Sequence, residues 1–274
     1  MQAELGLGHL YRHTPLIFGH RGASAYAPEN TLTAFNLALG QGADGVELDV
    51  TLSADGVPVV IHDDTLDRTT NGQGPVDRLS LAALKRLDAG YPSHFGRKFP
   101  DERIPTLAEV FAGLPPQAII NVELKHDRSP GRELAGRVVA LIHEYGMGRR
   151  VLISSFQFSS LRRVKALGSA LPVGLLYSSV LSGPRLARCL AGALPHEAHH
   201  PSHERLSAAS VAWYHAHGLR VNTWTVDDEA DLRRLAAAGV DGLITNRPDV
   251  AVSATARAEA ANGPAGSRPA GPAG

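Results

Sequence analysis

Leu16-Ile17-Phe18-Gly19-His20-Arg21-Gly22-Ala23-Ser24-Ala25-Tyr26-Ala27-Pro28-Glu29-Asn30-Thr31 decides how the chain folds. Three apolar residues read as a short buried strand, and the glycines after them as a tight turn. Asn30 is then an N-cap candidate for a helix carrying Leu32, Phe35 and Leu39, which Gly40 and Gly42 close. The unit is strand, turn, helix, and it recurs. Strand-like runs lie at 16–19, 44–50, 118–124, 151–155, 172–177, 219–225 and 241–245, with a weaker eighth near 196–200. Helical patterns separate them: Leu134, Val138, Leu141, Ile142 and Tyr145 recur at helical spacing, and Thr106-Leu107-Ala108-Glu109 reads as a capping box. Alternation of this kind implies parallel strands joined by crossover helices. Eight strands predict a (β/α)8 TIM barrel, which typically takes roughly 250 residues. A doubly wound sheet is the alternative, because periodicity cannot count closure.

The expected organisation is an N-terminal arm over 1–13, a barrel over 14–252 and an Ala/Gly/Pro-rich tail over 253–274. The tail is too poor in large apolar side chains to offset its ordering entropy and reads as disordered; a final helix over 251–260 is the competing pattern. One connection is long. The second strand ends near residue 50 and the next helix opens near 106. Residues 64–105 form an insertion with turns, a short helical run near 80–88, and Tyr91, Phe95 and Phe99. Connections of this length are usually functional.

The 27 basic and 27 acidic residues cancel, which removes any broad electrostatic case for a nucleic-acid partner. No run of about 18 apolar residues occurs, so no transmembrane segment is expected. A single cysteine, Cys189, excludes an intramolecular disulfide and is compatible with a cytoplasmic location.

Glu47 and Asp49 are two apart, so in a strand they share one face while Val46, Leu48 and Val50 share the other. Asn121, Glu123 and Lys125 repeat the pattern. On a barrel's inner face such charges are costly unless paired or metal-bound. Either they sit at a solvated strand end neutralised by Lys125 or an arginine, or three carboxylates hold a cation. An all-oxygen set suits Mg²⁺ or Ca²⁺ and disfavours zinc. His20 and His62 each follow an apolar strand run, where a barrel's C-terminal face places active residues. The remaining histidines, including His196, His199, His200 and His203, match no mechanistic metal spacing and read as surface or hydrogen-bonding groups.

These segments resemble the glycerophosphodiester phosphodiesterase family. The matching pieces are His20-Arg21-Gly22, Pro28-Glu29-Asn30-Thr31, Glu47-Leu48-Asp49, and His62-Asp63 with Thr65-Leu66-Asp67-Arg68-Thr69-Thr70-Asn71-Gly72. Glu123-Leu124-Lys125, Trp224-Thr225-Val226 and Gly239-Val240-Asp241-Gly242 through Pro248 continue the match, which runs from about residue 16 to 250. Their order carries the resemblance more than any one piece. Asn246 departs from the Asp that the family often carries, and reads as structural.

The resemblance implies metal-dependent hydrolysis of a small glycerophosphodiester to glycerol 3-phosphate and an alcohol. It implies one divalent cation, Mg²⁺ or Ca²⁺, on Glu47, Asp49 and Glu123. By analogy with related metal-dependent phosphodiesterases, His20 is the base and His62 the acid. Arg21 and Lys125 offer positive charge to the phosphate. Glu29 is placed to orient Arg21 or His20, with Asn30 beside it, and Trp224 either walls the pocket or packs in the core. The rivals are a lysophospholipase D-type activity on lysolipids, using Tyr91, Phe95 and Phe99 as an apolar groove, a non-catalytic phosphate-binding barrel, and an unrelated barrel isomerase or lyase.

Overall fold

The computed structural model describes residues 7–125, 133–177 and 196–261. Nine strands among them form one sheet: β1 (Leu16–His20), β2 (Gly45–Leu52), β3 (Pro58–Val60), β4 (Ile119–Leu124), β5 (Val151–Ser155), β6 (Val173–Tyr177), β7 (Ala198–Pro201), β8 (Arg220–Thr223) and β9 (Gly242–Thr245). All but β3 run parallel. β1 pairs with both β2 and β9, so the sheet closes into an eight-stranded barrel and the doubly wound alternative falls.

The longer helices are α1 (Leu32–Gly40), α4 (Leu107–Gly113), α5 (Leu134–Glu144), α6 (Phe158–Leu167), α7 (Ala208–Ala216), α8 (Glu229–Ala237) and α9 (Pro248–Ala261). The insertion holds two single-turn helices, α2 (Leu81–Leu84) and α3 (Pro92–Phe95). Strand alternation decides what each layer buries. Val46, Leu48 and Val50 face the helices with no exposure at all, which leaves Glu47 and Asp49 pointing into the barrel. α4 opens on the expected capping box, with Thr106 and Glu109 satisfying each other's backbone N–H groups. α1 differs from expectation: its N-cap is Thr31, whose hydroxyl accepts from Ala34, and not Asn30. Gly22 lets the turn before α1 press on that helix. Its φ is +88°, and a Cβ there would lie 2.5 Å from the backbone of Ala34.

The sequence pattern missed β3, a strand of only three residues. It pairs antiparallel with the far end of β2, so Val50 faces Val60. The hairpin carries β2 past the barrel rim and returns the chain to it, where the Ile61 N–H donates to the Asp49 carbonyl (3.0 Å). His62 therefore reaches the mouth from an antiparallel strand outside the eight, not from the end of a barrel strand.

The described part of the arm, from Leu7 on, packs against the barrel. Leu7, Leu10 and Tyr11 are buried against Leu16, Phe18, Ile119 and Leu152, where they close the N-terminal end of the barrel. The Tyr11 hydroxyl accepts from the Asn222 amide (2.6 Å). At the other terminus α9 runs past the boundary expected at 253, as the competing helical pattern over 251–260 had it, and Ala251 and Ala254 are fully buried. Composition undervalued Ala254, because a small side chain is what a close helix packing accepts. The rest of the expected tail, from 262, lies outside the described residues, as does Cys189. Of the two readings for His196, His199 and His200, the hydrogen-bonding one holds and the surface one falls. The three lie on or beside β7 and are buried. No helix among the described residues is long and apolar enough to cross a membrane.

Because Leu10 is only 3 % exposed within the barrel's lower apolar cluster, Leu10→Ala should cost about 2–5 kcal/mol. At about 2–4 °C per kcal/mol for a chain of this size, thermal unfolding should drop by roughly 5 °C or more. An unchanged melting temperature would mean that the arm does not plug the barrel.

Candidate active site

The mouth of the barrel gathers charge. β2 and β4 are in register with Glu47 beside Asn121 and Asp49 beside Glu123. One carboxylate oxygen from each of Glu47, Asp49 and Glu123 lies within 4.8 Å of the others. Asp49 is 1 % and Glu47 4 % exposed. Three carboxylates in so little water need positive charge, and two side chains bring it. The Lys125 ammonium donates to Asp49 (3.1 Å) and Glu123 (2.9 Å). The Arg21 guanidinium donates to Glu29 (2.9 Å) and lies 3.3 Å from Asp49, while the Arg21 backbone N–H donates to Glu47 (3.1 Å).

The cations serve Asp49 first. Burial would raise its pKa, but Lys125 and Arg21 outweigh burial and hold it well below the ordinary carboxylate range. Burial and the neighbouring Asp49 and Glu123 push Glu47 well above that range. Burial and Asp49 push Glu123 to about 7. Glu47 and Glu123 are thus pushed toward their protonated forms, because Lys125 and Arg21 do not offset a second and third negative charge in the cluster. An all-oxygen set of this kind is compatible with a hard divalent cation.

Asn30, expected near the site, lies directly against it. Its amide donates to Asp49 (2.9 Å), which is why it does not cap α1. It and Arg21 hold left-handed backbone, with φ of +59° and +54°. Such conformations cost roughly 1–3 kcal/mol each and persist where surrounding contacts fix them. Here the contacts to Asp49 and Glu47 do so.

His20 and His62 front one cavity of about 180 Å³, together with Arg21, Glu47, Glu123, Lys125 and Trp224. Their partners differ. His20 Nδ1 bonds the neutral amide oxygen of Asn246 (2.7 Å), and its Nε2 lies 3.9 Å from Glu47. Burial, helped by Arg21, lowers the pKa of His20 to about 4. His62 Nδ1 bonds a carboxylate, Asp63 (2.6 Å). Asp63 is brought to about 2 chiefly by its bonds from Arg68. Arg68 is the clamp of this side: it donates to Asp63 (2.6 and 3.0 Å) and to Glu29 (2.6 and 2.8 Å), and stands over the Tyr91 ring. Glu29 therefore ties Arg21 to Arg68 and does not touch His20 through a hydrogen bond.

Several cavity residues were not singled out from sequence. Phe156 is 46 % exposed, with its ring centroid 5.5 Å from that of Trp224. Ser154 also lines the cavity, as does Asn121, which the strand alternation had placed on the face of Glu123 and Lys125. One signal could have found Phe156 and Asn246: each directly follows a parallel strand, as Lys125, Arg21 and Trp224 do. Asn246 is more than structural, since it touches His20. Tyr91, His94, Phe95 and Phe99 pack on one another and do not line the cavity. The His196–His199 pair shares a 2.7 Å hydrogen bond, His199 stacks on Tyr214, and neither lines the cavity.

The sequence profile of the Glycerophosphoryl diester phosphodiesterase family matches residues 20–250. A glycerophosphodiester phosphodiesterase of Caldanaerobacter subterraneus subsp. tengcongensis is 42 % identical over 241 residues, 87 % of this chain and 96 % of that protein. One from Bacillus subtilis is 35 % identical over 255 residues, 86 % of this chain and 84 % of that one. Among solved structures, a glycerophosphodiester phosphodiesterase from Agrobacterium tumefaciens superposes with a TM-score of 0.75 at 32 % identity, covering 88 % of this chain and 100 % of its own. An Oleispira antarctica phosphodiesterase in complex with the product sn-glycerol-3-phosphate superposes with a TM-score of 0.77 at 34 % identity, covering 88 % and 96 %.

The raised carboxyls would make binding of a cation at this cluster depend on protons. Glu123, at about 7, and Glu47 must be deprotonated to ligate, so affinity should weaken as pH falls through that value. Calorimetry with Mg²⁺ or Ca²⁺ should show binding tighten from about pH 6 to about pH 8 with proton release into the buffer. Glu123→Gln should reduce that release. PH-independent affinity without proton release would contradict this electrostatic picture.

Proposed function

This chain belongs to the glycerophosphoryl diester phosphodiesterase family and is a phosphoric diester hydrolase acting on glycerophosphodiesters; we propose that it uses one divalent cation, Mg²⁺ or Ca²⁺, held by Glu47, Asp49 and Glu123, with His20 and His62 as its acid–base pair. The products are then glycerol 3-phosphate and a free alcohol. The observation that carries this reading is convergence. Both imidazoles, Arg21, Lys125 and two of the three carboxylates front one cavity.

When bound, the cation supplies Lewis-acid charge at a phosphoryl oxygen. The division of labour between the histidines follows their partners. His20 gives its Nδ1 hydrogen to a neutral amide, and burial keeps the ring uncharged, which leaves Nε2 free to take the nucleophile's proton. His62 gives its Nδ1 hydrogen to the Asp63 carboxylate, which orients the ring so that its Nε2 can deliver a proton to the leaving alcohol. Arg21 and Lys125 bind phosphate oxygens and offset charge that develops on them. Arg68 holds Asp63 and Glu29 in place, so the insertion contributes through a clamp more than through its aromatics.

A small polar alcohol, such as choline or ethanolamine, suits a cavity of about 180 Å³ whose neighbouring insertion aromatics are spent on one another. The Oleispira relative's bound sn-glycerol-3-phosphate supports the product side. We read the location as cytoplasmic, in keeping with a single cysteine.

Glycerophosphocholine should release glycerol 3-phosphate, and Glu47→Gln, Asp49→Asn or Glu123→Gln should nearly abolish that release while the fold survives. Chelation should act likewise, with Mg²⁺ or Ca²⁺ restoring turnover. Full activity after verified metal removal would overturn the cation's role, and a clear preference for lysophosphatidylcholine would move the substrate to lysolipids.

His20→Ala and His62→Ala should each lower kcat by about 10²-fold or more. An aryl phosphodiester, whose leaving group needs no proton, should recover much of the loss in His62→Ala and little in His20→Ala. Equal losses on both substrates in both variants would refute the division into base and acid.

A further inference from the structure

The geometry points to Asp227, acting through Asn246, as the positioning residue that fixes which ring nitrogen of His20 is free to act; this rests on His20 being the base of the hydrolysis. Asp227 follows β8 and Asn246 follows β9, so the pair joins the last two barrel strands to the first.

The chain of reasoning is one of donors and acceptors. Asp227 Oδ1 accepts from the Asn246 backbone N–H (2.8 Å) and the Thr245 hydroxyl (3.0 Å). Its Oδ2 accepts from the Asn246 amide nitrogen (2.6 Å). A carboxylate only accepts, so the amide must present its NH₂ to Asp227. A flipped amide would set two oxygens against each other at that distance. With the nitrogen committed, Asn246 Oδ1 faces the other way and accepts twice, from the Ser24 hydroxyl (2.6 Å) and from His20 Nδ1 (2.7 Å). An amide oxygen has no proton to give, so the hydrogen of that last bond belongs to His20. The neutral ring then carries its lone pair on Nε2, the nitrogen on the Glu47 side, in the cavity.

Each link is forced by the one before it. Asp227 orients the amide, the amide orients the tautomer, and the tautomer decides whether His20 can accept a proton where the nucleophile sits. The amide transmits direction without placing a full charge on the ring. His62 has no such intermediary, because Asp63 bonds it directly.

The test reads the tautomer itself. In the metal-loaded enzyme with ring-¹⁵N histidine, two-bond correlations to the ring protons identify the protonated nitrogen, and the His20 signals are those missing from His20→Gln. Wild-type His20 should be protonated at Nδ1. Asp227→Asn lets the amide take either orientation, and Asn246→Leu removes the acceptor, so each should shift His20 toward the Nε2-protonated form. Each should also lower kcat on glycerophosphocholine by about tenfold, the loss expected for one hydrogen bond, with KM changed less than about twofold. Protonation of Nε2 in the wild type overturns the proposal, and that measurement needs no variant to fold. An unchanged tautomer and kcat in a folded Asp227→Asn also overturns it. If instead His20→Gln retains full activity, the underlying assignment of His20 as base fails while the wild-type tautomer still reports on the Asp227 relay.

Discussion

Asp49 is the charge around which the site is arranged. It is almost fully buried, and Lys125, Arg21 and Asn30 all turn toward it. A bare carboxylate there would be prohibitively expensive, so the neighbours are not optional. Their arrangement explains features that look unrelated. Arg21 and Asn30 accept left-handed backbone because their side chains must reach the same carboxylate. The hairpin of β2 and β3 returns to the rim at Asp49's own carbonyl, and that return delivers His62. Because Lys125 and Arg21 serve Asp49 first, Glu47 and Glu123 are pushed toward their protonated forms, and a divalent ion is compatible with the cluster they make with Asp49.

The insertion meets this arrangement through one side chain. Arg68 bridges Asp63 and Glu29, and Glu29 in turn holds Arg21. A displacement of the insertion would thus reach both the partner of His62 and a cation of the carboxylate cluster. The aromatics of the insertion, by contrast, satisfy one another and leave the mouth to Phe156 and Trp224.

Much of this was legible in the chain because the rules involved are local. A period of two set Glu47 and Asp49 on one face and Glu123 and Lys125 on one face of another strand. The ends of apolar runs marked His20 and the strand-to-helix units. What escaped was non-local or very short. β3 has three residues and carries no periodicity to detect. The arm's burial depends on a barrel floor built from residues far along the chain, such as Ile244. Ala254 looks featureless until a partner surface is present to receive it. Asn30 satisfied every local criterion for a helix cap, and the long-range demand of Asp49 overrode them. Asn246 looked structural for the same reason: its partner His20 lies 226 positions away.

That separation has a consequence for synthesis. A ribosome delivers the chain from its N-terminus, so all three clustered carboxylates and both histidines emerge long before Asn246 does. Until β9 inserts between β1 and β8, the barrel is an open sheet with two unsatisfied edges, the sort of surface that invites pairing with other chains. A nascent chain at that stage holds His20, His62 and the three clustered carboxylates, yet His20 lacks its hydrogen-bond partner Asn246. The strand that closes the barrel is thus also the one that delivers the partner of His20.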